Sequence, residues 1–85
     1  MIKKDSVVKF LNKYGSYSTQ VNGIVRDIVH DIRENKDKVL IEYVFWGPYD
    51  DDPQKYKEWH NIETLEEVVD ENKVKEVIEK INNIN

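Results

Sequence analysis

The chain has 85 residues, no cysteine and a formal net charge of −4, with Asp and Glu outnumbering Lys and Arg by 17 to 13. A chain of this length makes one domain, and the absence of cysteine excludes a disulfide scaffold, a thiol nucleophile and thiolate-based zinc sites. No apolar run approaches the roughly 18 residues a membrane span needs. The basic start, "MIKKDSVVKF", lacks the apolar core and small-residue cleavage site of a secretory signal. The expected setting is soluble and intracellular: cytoplasm, nucleus, or host cytoplasm for a viral protein.

Charge is unevenly spread. Residues 1–47 carry eight Lys/Arg against six Asp/Glu, and residues 48–85 carry five Lys against eleven Asp/Glu. Phosphate neutralisation dominates nucleic-acid affinity, so the acidic second half opposes direct nucleic-acid binding. It suits a partner with a basic surface or tail.

In chain order, "DSVVKFLNKYG" predicts a short helix within residues 1–15, because Val7, Phe10, Leu11 and Tyr14 fall at i, i+3, i+4 and i+7. Asp5 or Ser6 would cap it and Gly15 would end it. "SYSTQ" reads as a loop. Residues 21–34 read two ways: Val21, Ile24, Val25, Ile28, Val29 and Ile32 match helical spacing, whereas the β-branched content and Gly23 suit a long, bent strand covered on both faces. Strand is favoured. "ENKDK" is a polar turn and "VLIEYVFW" the clearest strand. "GPYDDDPQ" is a loop, since Gly47-Pro48 stops the strand and Pro53 blocks regular pairing. "KYKEWHNI" alternates, with Tyr56, Glu58, His60 and Ile62 on one side and Lys57, Trp59 and Asn61 on the other. Thr64 and Glu67 have the capping-box spacing, so a helical segment is expected over 64–84. Its main helix, capped by Asn72, would line Val74, Val77, Ile78, Ile81 and Ile84 on one side.

The expected class is α+β: one domain, with a small curled antiparallel sheet or SH3-like barrel over 21–62, an N-terminal helix over 1–15 and a C-terminal helix packed on it. Three strands are too few to leave a whole face bare at this size.

The segment from Gly23 to Ile81 resembles a chromodomain and, more loosely, the SH3-like small barrels that include Tudor domains. "VRDIVHD" stands for that family's first strand and "VLIEYVFW" for its second, with Trp46 at the end and Tyr49 three residues on. "DDDPQ" stands for the acidic loop, Leu65 follows Trp59 at the six-residue spacing, and "EVIEKI" stands for the closing helix. The resemblance implies an aromatic cage for methyl-lysine, with Trp46 and Tyr49 as two walls and Asp50, Asp51 and Asp52 beside the ammonium; cation–π attraction would supply the affinity. The third wall falls at Gly23, which has no side chain; Tyr17 is the aromatic upstream of it.

Little catalytic chemistry is legible. His30 and His60 are the only histidines, with Asp27, Asp31 and Glu58 as potential co-ligands but no metal motif, so no metal or cofactor is expected. Ser6, Ser16 and Ser18 have no histidine near in sequence and no nucleophile elbow. The expected function is a non-enzymatic protein-binding module, a monomer or weak homodimer. Trp46, Tyr49 and Tyr56 are its anchors, and Asp50, Asp51 and Asp52 steer in a basic segment, methyl-lysine included. The alternative is an acidic inhibitor from a virus or mobile element, whose face of Glu63, Glu66, Glu67, Asp70 and Glu71 joins the Asp loop to mimic nucleic acid. A weaker alternative is direct nucleic-acid binding through Lys3, Lys4, Lys9, Lys13, Arg26 and Arg33.

Overall fold

Where a helix was expected at the start of the chain, residues 7–14 form a strand. The computed structural model describes residues 1–84, with every side chain among them except that of Tyr14. Strand β1 (Val7–Tyr14) pairs antiparallel with β2 (Tyr17–Asp31), in a register running from Val7↔Ile24 to Tyr14↔Tyr17. Gly15 does not end a helix. It sits at φ 61° as the first residue of a two-residue hairpin turn, the position where a type II′ turn needs a positive φ. "SYSTQ" is correspondingly part of β2 from Tyr17 onward rather than a loop.

The physical reason is two-sided burial. Val8 and Phe10 enter one core cluster with Val21, Val25, Val39, Ile41 and Tyr43. Val7 enters the other, with Ile24, Val44, Val77 and Ile81. A strand covered on both faces loses the period-two signature, and its apolar residues then match helical spacing by accident.

β2 is a strand throughout, which decides the ambiguity of residues 21–34. It pairs with β3 (Lys36–Phe45) across a turn in which the Asp31 carboxylate accepts from the amides of Arg33 and Glu34 and Asn35 takes φ 52°. The β2–β3 register slips between Val25 and Asp27, and Asp27 Oδ1 accepts from the Ile28 amide beside the slip. Such a bulge bends its strand. β4 (Gln54–Asn61) pairs with β3, a 3₁₀ turn spans Ile62–Thr64, and β5 (Glu66–Glu67) pairs with β1 at Val8 and Lys9. The sheet order is β4-β3-β2-β1-β5. It curls enough that Phe10 of β1 lies against His60 of β4, ring centroids 4.6 Å apart, although two strands separate them in the sheet.

The helical stretch is shorter than expected. Thr64 Oγ1 donates to the Asn61 carbonyl, and residues 66–67 are strand, so no helix starts at Thr64. Helix α1 is Glu71–Asn82, and its cap is Asp70, whose carboxylate accepts from the amides of Asn72 and Lys73. Its apolar face, with Val77 and Ile81 buried, covers Val7, Ile24 and Val44 on one side of the sheet. The class is therefore largely β, with five antiparallel strands and a single C-terminal helix among the described residues, in place of an α+β domain with helices at both ends. No helix is long and apolar enough to cross a membrane among the described residues.

Candidate binding surfaces

The β3–β4 connection is a structured loop built around Asp50. Its carboxylate accepts from the Gly47 amide at 3.1 Å and, more weakly, from the Tyr56 hydroxyl at 3.5 Å. Its amide donates to the Gly47 carbonyl, and its own carbonyl accepts from the Trp46 indole N–H at 2.9 Å. Gly47 is buried, and a Cβ there would stand 2.9 Å from the Asp50 carboxylate. The loop thus turns on a glycine that leaves room for the acid that closes it.

The closure leaves the aromatic residues outside. Trp46 is 64% exposed and Tyr49 89%, with Asp51 and Asp52 exposed beside them. The expected anchors do not all share one face. Trp46 borders a groove of about 330 Å³ on the α1 side, with Asn22, Lys73, Val77 and Lys80. Tyr56, itself exposed, stacks on the buried Tyr43 at 5.6 Å on the other face, and its hydroxyl reaches the Asp50 carboxylate.

Gly23, where the resemblance puts a third cage wall, lies inside the sheet. A Cβ there would run into Ile41 Cγ2 and stand 2.8 Å from the Glu42 carbonyl oxygen. No ring can stand at that position without displacing the core. Tyr17 is exposed near the β1–β2 turn.

The expected acidic face is interleaved with cations. Glu63 pairs with Lys36 at 2.9 Å, Glu66 with Lys9 at 3.4 Å and Glu67 with the Met1 ammonium at 2.8 Å. The Glu63 carboxylate holds the Lys36 ammonium above its usual range, first by hydrogen bonding and then by charge. Asp70 is occupied capping α1, and Glu71 opens that helix, where a negative charge complements the dipole.

The concave face carries a cluster that sequence spacing only half showed. Tyr56, Glu58 and His60 alternate on β4, as the pattern requires, but Phe10 reaches them from a segment read as helix. The Phe10 ring meets Tyr43 edge-on at 5.1 Å. His60 Nε2 lies 3.3 Å from Glu58 Oε1. Tyr43 is 2% exposed; burial, and then the nearby Glu58 carboxylate, push its phenol well above the ordinary tyrosine range. A phenol held that firmly neutral is suited to packing rather than to proton transfer near neutral pH. His30 is set apart at the β2–β3 end, its Nδ1 2.8 Å from Asp37. No three metal-ligating side chains converge among the described residues. Ser6 serves the backbone: its hydroxyl accepts from the Lys3 amide.

No protein-family model matches the chain, and no curated protein or solved structure matches it. The site therefore stands on its own geometry: an Asp50-closed loop at the edge of a small, largely β domain.

Proposed function

We propose that this protein is a binding module whose β3–β4 loop engages a Lys- or Arg-rich segment of another protein. One observation carries the reading. Asp50 fixes the loop by backbone and side-chain hydrogen bonds, and the fixed loop holds Trp46 and Tyr49 in water next to Asp51 and Asp52. The Trp46 ring, tied through its indole N–H to the Asp50 carbonyl, is ordered before the partner arrives, which lowers the entropic cost of binding. The two aromatic rings offer apolar and π surface to a cationic side chain, and the two carboxylates give direction and speed of encounter. The nucleic-acid-mimic reading gains no support from Glu63, Glu66 and Glu67, whose charges are largely matched by Lys36, Lys9 and the amino terminus.

The test is a titration of isotope-labelled protein with three short peptides, bearing lysine, trimethyl-lysine and glutamate at one central position. Saturable shifts of the Trp46 indole and of residues 47–52 with the cationic peptides, and none with the glutamate peptide, are the expected result. A preference for trimethyl-lysine would extend the loop's role to a two-walled cage. Shifts confined to residues outside the loop would refute the reading.

A further inference from the structure

The outer edge of β4 is a second, differently charged surface. β4 ends the sheet, so among the described residues one side of its backbone has no neighbouring strand. Every residue from Gln54 to Trp59 is exposed despite regular pairing with β3. Space also lies open beside it: a cavity of about 510 Å³ runs between β1 and β4, bordered by Phe10, Lys13, Glu58 and His60. An open sheet edge of this length is a template for another strand unless its side chains forbid it.

The side chains choose among partners. Alternation puts Lys55, Lys57 and Trp59 in one row on the face opposite Tyr56, Glu58 and His60. Neither Lys55 nor Lys57 has a carboxylate within ion-pair distance among the described residues. Glu42, which faces Lys57 across the strands, is committed to Arg26. Trp59 is 51% exposed beside Leu40, its partner in the register. Two unmatched cations along the edge repel a second copy of the same strand, yet attract a strand bearing carboxylates at alternate positions.

From these features we infer that β4 accepts an extended acidic segment as a sixth strand. Carboxylates lie opposite Lys55 and Lys57, and an apolar residue lies against Trp59. This surface is separate from the β3–β4 loop and does not depend on the loop's role. A single nucleic-acid strand could also meet two lysines and a Trp ring, but it would leave the backbone hydrogen-bonding edge unused.

The probe is a short capped extended peptide whose successive same-face positions carry Glu, Glu and Val, to lie opposite Lys55, Lys57 and Trp59, with Thr at the intervening positions, titrated into labelled protein. Controls are the same peptide with Lys for Glu and a single-stranded thymidine oligonucleotide. The expected result is saturable shifts over Gln54–Trp59 with slowed amide exchange along β4, for the Glu peptide alone. The double variant Lys55→Glu, Lys57→Glu should weaken binding by about tenfold or more while leaving the free spectrum dispersed. Asp51→Asn with Asp52→Asn should leave it unchanged, which separates this surface from the loop. Equal binding of the Lys peptide, shifts without amide protection, or oligonucleotide binding in place of peptide binding would each overturn the inference.

Discussion

Gly23→Ala tests the packing of the sheet and, with it, the place where a third cage wall would stand. Gly23 pairs with Tyr43 on one side and Val8 on the other, at the centre of the sheet. An added Cβ would overlap Ile41 Cγ2, stand 2.8 Å from the Glu42 carbonyl oxygen and 3.2 Å from Tyr43 Cβ. Ile41 and Tyr43 are both fully buried, so relief requires moving core side chains and a paired strand's backbone together. Overpacking of one methyl in a tight core costs about 1–3 kcal/mol, and contact with backbone on one side puts this case near about 2–3 kcal/mol. A domain of this size has roughly 4–13 kcal/mol in total. The loss should lower the urea midpoint by about 2 M and the Tm by roughly 10–20 °C. Urea denaturation followed by Trp fluorescence, with thermal melts by circular dichroism, measures both. An unchanged midpoint at unchanged m-value would refute the close approach of β2 and β3 at this point. Gly23→Tyr should fail to fold rather than complete a cage.

Other expectations follow from single contacts. Asp70→Ala removes the cap of α1 and should cost about 1 kcal/mol by denaturation. Arg26 donates to Glu42 Oε1 from both Nε and Nη2, at 3.0 and 2.7 Å, and Glu42 is only 8% exposed. Arg26→Met should therefore cost about 2 kcal/mol by stranding a carboxylate, and adding Glu42→Leu should recover most of it. Because the folded state holds the Tyr43 proton more tightly than the unfolded chain, stability from this group is complete below pH 10. It falls as pH rises beyond the ordinary tyrosine value of 10.0. Tyr43→Phe should flatten that alkaline loss in denaturation curves taken from pH 8 upward. Asp50→Ala should cost about 1 kcal/mol in stability and weaken binding of a basic peptide, whereas Asp51→Asn with Asp52→Asn should slow association without altering stability.

The legible and illegible parts of this chain divide by how each element is covered. Strand β3 announced itself because eight nearly continuous aliphatic and aromatic residues need burial on both sides. Strand β4 did so through the period of two in "KYKEWHNI", although both of its faces stay exposed from Gln54 to Trp59. α1 was visible from Val74, Val77, Ile78 and Ile81 at helical spacing, although the cap proved to be Asp70 rather than Asn72. The loop between β3 and β4 was visible from Gly47, Pro48 and Pro53. Its Asp50 hydrogen bonds were not, because nothing in a run of three Asp says which one turns inward.

β1 was misread for a reason internal to its residues: Val7, Val8, Phe10 and Leu11 carry no period that distinguishes a doubly covered strand from a short amphipathic helix. What decides it is the Gly15 turn folding β1 back on β2, and α1 arriving some sixty residues later to bury Val7. The same holds for Thr64 and Glu67, whose capping-box spacing yields to pairing of Glu66 and Glu67 with β1. The sequence by itself determined the burial demand of each segment and the positions where the chain must turn. Only the tertiary structure decided which segments meet that demand together, because pairing and two-sided cover join residues far apart in the chain, and local spacing carries no record of them.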